Sequence, residues 1–181
     1  MSTAIPFQEL TLDAVRNVKL RARRRGIELM LRSGRGEAEA QVTPRDFRAN
    51  DDISVNNGTE PNEWTPAAGT AGTDLAYVNA ALGANKFLII YGVSVVAAVV
   101  RPYVTAIKFK VGTGGANTKA EVDLQRGYAY RDWVWFLDDP VVYGPSETVY
   151  ILLEVAVTWA VGDLTVPLAG LIFEPAGQTV A

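Results

Sequence analysis

The second half of the chain consists of a succession of predicted β-strands, and this pattern most limits what the chain can fold into. After Lys86, short runs rich in Val, Ile, Tyr, Phe and Trp alternate with Gly, Pro, Asp and Asn, which is typical of strands separated by turns. No stretch in this half has a capped helical pattern of useful length, which argues against βαβ crossovers and a parallel nucleotide-binding sheet. We therefore expect a mainly β protein with antiparallel sheets.

One of these runs alternates most clearly. From Tyr103 to Val111 the odd positions are largely apolar while Lys108 and Lys110 lie between them, which predicts a strand with one wet face. The strands fit an antiparallel β-sandwich of jelly-roll type with about eight strands, and an immunoglobulin-like sandwich is the alternative. The remaining strands are predicted near 87–100 with a break at Gly92, and at 119–125, 129–137, 148–159 and 164–173.

The charge of the chain changes sign along its length. The net charge is −3, yet eight basic residues between positions 16 and 35 are accompanied by only one acid, Glu28. Thr11 can cap a helix and Gly26 offers a stop, which predicts a helix at about 12–25. We interpret residues 1–49 as a basic N-terminal arm that carries this helix. Its basic residues are Arg16, Lys19, Arg21, Arg23, Arg24, Arg25, Arg32 and Arg35.

The partner of this arm is predicted from its charge. One interpretation is contact with a polyanion, either the phosphates of nucleic acid or the headgroups of anionic lipid. The other is pairing with the acidic body of a neighbouring subunit, since from Gly36 onward nine basic residues face seventeen acidic ones. Few aromatic residues interleave with the basic ones, so sequence-specific recognition of nucleic acid is not expected.

Residues 50–85 are poor in apolar periodicity and rich in Asn, Gly, Thr, Ala and Pro, which predicts an extended connector or loop region. Trp64, Leu75, Tyr77 and Val78 are expected to hold it against a core or a neighbour. Residues 86–181 then form the β-sandwich body.

The composition removes several kinds of chemistry. The chain has no histidine and no cysteine, so a Ser-His-Asp nucleophile, thiolate metal sites and disulfides are excluded. Gly112-Thr113-Gly114-Gly115 matches no phosphate-loop spacing and is predicted to be a hairpin turn. We predict a protein that is not an enzyme, with no catalytic residue, metal, cofactor or small-molecule substrate.

Acidic clusters leave two alternatives open. Asp138-Asp139-Pro140 and Asp51-Asp52, with Asn56 and Asn57, are interpreted as turn formers, with calcium binding as the less favoured alternative. A hydrolase with paired carboxylates also stays open, because acids far apart in sequence can converge in space. The candidate acids are Asp132, Asp138, Glu147 and Glu154.

Large aromatic residues concentrate between Tyr128 and Trp135, with Tyr130 and Trp133 between them. Exposed, they would form a sugar-stacking platform, but aromatic residues at alternate strand positions more often belong to a core or an interface. We predict Trp64, Trp133 and Trp135 as interface aromatics.

No membrane or export segment is predicted. Met1 to Phe7 lack the charged and apolar pattern of a secretory signal peptide. The longest apolar run, Phe87 to Val100, has about 14 residues, fewer than the roughly 20 that a spanning helix needs.

A basic arm, a long connector and a terminal sandwich together resemble the small single jelly-roll major capsid proteins of icosahedral bacterial or archaeal viruses, with or without an internal membrane. The resemblance is one of organisation across the chain, without a matching motif. It implies a shell subunit in the virion that assembles with copies of itself and with other virion proteins. The arm would contact neighbours, genome or inner membrane. The alternatives are a tailed-phage decoration or baseplate protein and a carbohydrate-binding β-sandwich module.

Overall fold

The computed structural model describes residues 4–6, 12–34, 42–55, 60–97, 99, 101–125 and 134–175. Strands dominate it, and two helices lie in its first third. The helices are α1 (Leu12–Arg32) and α2 (Ala49–Asp52). The strands are β1 (Ala4–Pro6), β2 (Val42–Asp46), β3 (Asp74–Ala81), β4 (Phe87–Ser94), β5 (Val96–Ala97), β6 (Val104–Val111), β7 (Asn117–Asp123), β8 (Val134–Tyr143), β9 (Thr148–Val155), β10 (Leu164–Thr165) and β11 (Leu168–Pro175).

The strands form two antiparallel sheets that pack face to face. Sheet A has the order β1-β8-β4-β11-β2 and sheet B the order β3-β9-β6-β7, while β5 and β10 form a small separate pair. The main core lies between the sheets, where alternate residues of facing strands, such as Leu88, Ile90, Ile151 and Leu153, are fully buried. The predicted mainly β, antiparallel sandwich is therefore confirmed.

The chain pairs with itself in reverse order. β2 pairs with β11, β3 with β9, β4 with β8, and β6 with β7. The four pairs are nested, so the sequence from β2 to β11 behaves as one long hairpin rolled into two sheets. At its tip, Thr113–Gly115 forms a 3-10 turn with positive φ at Gly112, Gly114 and Gly115, which confirms the predicted hairpin turn.

The helix α1 is a third layer of the domain and not a separate arm. Its buried residues recur along one stripe, and they lie on the face of sheet A that points away from sheet B. The buried helix residues are Val18, Ala22, Ile27 and Met30, and they pack with Phe87, Ile89, Tyr91, Leu171 and Phe173 of the sheet. The arm interpretation is corrected because this apolar stripe is satisfied within the chain itself.

Gly26 lies inside α1 and does not end it. A Cβ atom built at Gly26 would lie 2.2 Å from ring atoms of Phe173, which is fully buried in β11. Glycine is therefore required where the helix backbone rests on this ring. The helix was predicted to end at about residue 25 because glycine often ends a helix, but it continues to Arg32. Gly26 is present because the helix packs closely on Phe173 at this position.

Residues 50–85 contain more regular structure than a connector. α2 and the residues after it enter the core through Ala49, Ile53 and Val55, and β3 is an edge strand of sheet B. Tyr77 and Val78 are buried, as expected of residues that hold this segment to a core. The single proton of the Tyr77 hydroxyl is shared between the carbonyl oxygens of Val166, at 2.8 Å, and Trp64, at 3.2 Å.

Asp138-Asp139-Pro140 lies within β8, so the predicted turn at this position is corrected. β8 pairs with β4 on both sides of the segment, through Phe136 with Gly92 and Val141 with Ile90. The register shift leaves residues 137–140 as a bulge, where the missing N–H of proline breaks no ladder bond. Gly92, predicted as a strand break, lies inside β4 beside this register shift.

Burial raises the pKa of Tyr77 well above its usual value. The folded protein therefore keeps a proton that the unfolded chain releases near pH 10, so stability falls as the pH rises above about 10. We expect Tyr77→Phe to lower the free energy of unfolding by about 1 kcal/mol at neutral pH and to make the alkaline loss shallower. Urea unfolding at pH 7 and pH 10.5 measures both effects. Tyr150, which is less buried than Tyr77, supplies the control Tyr150→Phe. An unchanged alkaline slope in Tyr77→Phe would contradict the role of the Tyr77 hydroxyl in the alkaline loss of stability.

Candidate interaction surface on the N-terminal helix

The solvent side of α1 carries a continuous set of cations, which we call the basic face. Because the helix buries only a narrow stripe, the positions on both flanks and on the outer side stay exposed. The basic face consists of Arg16, Lys19, Arg21, Arg23, Arg24, Arg25 and Arg32. Arg35 lies outside the described residues.

Some of these cations have acidic partners and others do not. Glu28 forms ion pairs with Arg32 and, at 3.8 Å, with Arg25. Lys19 Nζ lies 3.1 Å from Asp46 Oδ1 at the end of β2, and this hydrogen bond raises the pKa of Lys19. Arg16, Arg21, Arg23 and Arg24 form no ion pair with any residue that the structure describes. Their charge is therefore available to a partner outside the described fold.

Two grooves run along the flanks of α1. The larger, of about 840 Å³, separates the helix from β7 and β8, and it places Arg21, Arg24 and Arg25 opposite the Asp138-Asp139 bulge. The smaller, of about 400 Å³, lies against β2 at the edge of sheet A, with Arg16 and Arg23 on its rim. Each groove thus has a cationic helical wall, and the larger one also has an acidic wall.

Two of the three predicted interface aromatics, Trp64 and Trp135, lie within the described residues. Trp135 is 1% exposed and belongs to the core between the sheets, so its prediction as an interface residue is corrected. Its place in β8 turns it inward, which also removes it from a sugar-stacking platform. Trp64 is half-buried and packs edge to face on Phe47, with ring centroids 5.3 Å apart. Trp133, Tyr128 and Tyr130 lie outside the described residues.

Two of the four candidate carboxylates, Glu147 and Glu154, form ion pairs with lysines within the fold, and Asp138 lies in the bulge of β8. Glu147 Oε2 lies 3.0 Å from Lys119 Nζ and also accepts a hydrogen bond from the backbone N–H of Gly144. Glu154 contacts Lys108 Nζ and the Thr105 hydroxyl, and both contacts lower the pKa of Glu154. Asp132 lies outside the described residues.

The part of the chain that the structure describes contains no cluster of three or more Asp or Glu residues arranged to hold a metal ion. Asp51 and Asp52, which belong to the calcium hypothesis, are engaged by arginines of β2 and its neighbouring loop. Asn56 and Asn57 are outside the described residues. Within the same described ranges, no helix is both long and apolar enough to cross a membrane.

A largely buried charge network, which the sequence did not predict, lies at the edge of sheet A. Arg45 of β2 binds the carboxylates of Asp52 and Glu174, and Lys86 lies 3.5 Å from Glu174. The hydrogen bond to Asp52 is the main cause that raises the pKa of Arg45. Pro44 hides the strand signal of β2, because proline argues against a central strand, and it is tolerated here because β2 is an edge strand.

Comparisons with known proteins give little further guidance. No protein-family model matches the chain. No curated protein matches it either. Among solved structures, the chain is similar to the C-terminal CBM6 of LamC, a marine laminarinase from Zobellia galactanivorans. The identity is 10%, the match covers 73% of this chain and 99% of that one, and the TM-score is 0.34. A similarity of this strength assigns neither a fold family nor a ligand.

Proposed function

We propose that this protein is a structural subunit that assembles with copies of itself into a virion shell. The observation that carries the proposal is the nested pairing of β2 with β11, β3 with β9, β4 with β8 and β6 with β7. A long hairpin rolled into two sheets supports a jelly roll, an architecture found in viral capsid domains and in lectins. A decoration or baseplate protein of a tailed phage is a variant of the same proposal.

The surface of the sandwich favours assembly over sugar binding. A fold alone does not choose between these functions, so the choice depends on the exposed side chains. The basic face suits an anionic partner, such as a phosphate-bearing polymer, an anionic lipid surface or an acidic protein surface. Trp135, one of the aromatic residues of the possible sugar-stacking platform, is buried in the core, so its ring is not available to stack on a sugar.

One end of the sandwich also supports contact with other proteins. Val96, Val99 and Val161 are each more than half exposed, at 55%, 51% and 54%. The pairing of β5 with β10 brings Val96 and Val99 to the same end as the turn that holds Val161. Grouped exposed apolar residues are typical of interaction sites, so this end is a second candidate contact between subunits.

Light scattering and electron microscopy of the purified chain, over a range of protein and salt concentrations, test the proposal. We expect oligomers or particles whose size depends on concentration. A monomer at every concentration would contradict a shell subunit. A monomer whose tryptophan fluorescence changes with a particular glycan would favour the sugar-binding alternative instead.

A further inference from the structure

The outer face of sheet B carries a set of carboxylates, which we call the acidic face: Asp74, Glu121, Asp123 and Glu154. Directly opposed residues of an antiparallel pair point to the same side of a sheet. Glu154 is opposite Asp74 on one side and Ala106 on the other, and Ala106 is opposite Asp123. The three carboxylates therefore form a row across the sheet. Glu121 lies in the next row, opposite Lys108.

The acidic face keeps charge that the fold does not neutralise. Lys108 Nζ lies 3.0 Å from Asp74 Oδ2 and 3.1 Å from Glu154 Oε2, so this lysine serves two carboxylates. Among the described residues, Glu121 and Asp123 have no ion-pair partner, and both are exposed. Lys110 follows Lys108 on the same side of β6, so four carboxylates lie beside these two lysines.

The acidic face and the basic face lie on opposite sides of the molecule. The order of layers is α1, sheet A and sheet B, because α1 packs on the face of sheet A that points away from the main core. Successive layers pack about 10 Å apart, so the axis of the helix lies about 20 Å from the plane of sheet B. This distance exceeds the Debye length of about 8 Å at physiological salt. Only at one edge does the larger groove bring Arg21, Arg24 and Arg25 near Lys119 of β7. Among the described residues, no cation of the basic face forms an ion pair with a carboxylate of the acidic face.

We infer that the basic face of one copy docks on the acidic face of another copy. The inference rests on the proposed function and names the contact by which copies would join. Unpaired arginines on one surface and unpaired carboxylates on the other are complementary, and arginine binds carboxylates through two parallel hydrogen bonds. Because the two surfaces differ, the contact is heterologous, and it generates a closed ring or an open array instead of a two-fold dimer.

Charge reversal at one residue of each face tests the inference. Arg24→Glu changes the basic face and Glu121→Lys the acidic face, and neither residue has an ion-pair partner in the described fold. The matched controls are Arg101→Glu and Glu60→Lys, at exposed positions that belong to neither face. Sedimentation velocity of the full chain measures self-association at 50 mM and 500 mM salt, and circular dichroism checks that each variant is folded.

We expect each face variant to weaken self-association about tenfold at low salt, and each control to leave it within about twofold. Mixing Arg24→Glu with Glu121→Lys is expected to recover association, because each variant then offers its unchanged face to the other and the two reversed faces also match. High salt should weaken the wild-type association and reduce the difference between variants.

The possible failures are distinguishable. Wild-type protein that stays monomeric at every concentration would overturn the proposed function together with the inference. Wild-type association that is equally sensitive to the face variants and to the controls would overturn the inference and leave assembly standing. If Arg24→Glu leaves association intact but lowers binding of duplex DNA or of phosphatidylserine vesicles, the partner of the basic face is that polyanion, and the inference is again overturned.

Discussion

Asp52→Ala is expected to lower the free energy of unfolding by about 3 to 5 kcal/mol, the cost of removing one partner from a buried ion pair. The Asp52 side chain is 0% exposed. One of its oxygens accepts hydrogen bonds from the Arg45 guanidinium, at 2.8 Å, and from the backbone N–H of Arg48, at 2.9 Å. Without this carboxylate, Arg45 and Lys86 share the single remaining charge of Glu174.

The loss would affect several elements at once. Arg45 lies in β2, Asp52 ends α2, Lys86 precedes β4 and Glu174 lies in β11. The network therefore fastens the edge of sheet A to the segment that leads into sheet B. Urea or thermal unfolding of the purified variant measures the effect.

Asp51→Ala is the matched control. The adjacent Asp51 forms an ion pair with Arg48 at 3.0 Å, and both side chains are well exposed. Exposed pairs contribute about 0 to 1 kcal/mol, so the control should unfold close to the wild type. If Asp51→Ala and Asp52→Ala lower the free energy of unfolding by the same amount, burial does not explain the contribution of Asp52 to stability.

Gly26→Ala is expected to destabilise the protein by about 1 to 3 kcal/mol, the usual cost of inserting a carbon atom into a packed core. In an exposed helix the same change would stabilise the protein by about 1 kcal/mol, because alanine has the higher helix propensity. A destabilised variant would therefore show that the packing contact outweighs helix propensity. The new Cβ would lie 2.2 Å from the Phe173 ring, which is buried between helix and sheet and cannot turn aside. We expect α1 to shift away from sheet A.

A smaller residue beneath the helix tests this explanation. In the Phe173→Leu background, Gly26→Ala is expected to lower the free energy of unfolding by less than it does in the wild type. The difference between the two effects is the coupling energy of the two positions. Chemical unfolding of the four proteins in this cycle measures it. Additive effects would show that Gly26 is needed for a reason other than contact with Phe173.

Local patterns were sufficient for the strands with the clearest alternation. Alternation with Lys108 and Lys110 on one side predicts β6, and the glycines at 112–115 predict its hairpin with β7, because both signals are local. β2 and β3 were missed for identifiable reasons. Pro44 argues against β2 until its edge position is known, and β3 is surrounded by residues typical of loops.

The candidate surface was predicted only as a set of charges. The sequence places eight basic residues between positions 16 and 35, but it contains no signal for whether their helix is free or packed. That depends on whether the outer face of sheet A is apolar, which involves Phe87, Ile89, Leu171 and Phe173, all far away in the chain. The acidic face likewise joins residues of three strands that only the register brings together.

By itself, the sequence determined the mainly β class, the absence of histidine and cysteine chemistry, and a helix rich in arginine near the N-terminus. These follow from composition and from periodicities of a few residues. The tertiary structure alone decided that the helix forms a third layer, that Trp135 is core and that opposite charges lie on opposite sides of the sandwich. These depend on contacts between distant segments, where burial of apolar side chains outweighs local propensity.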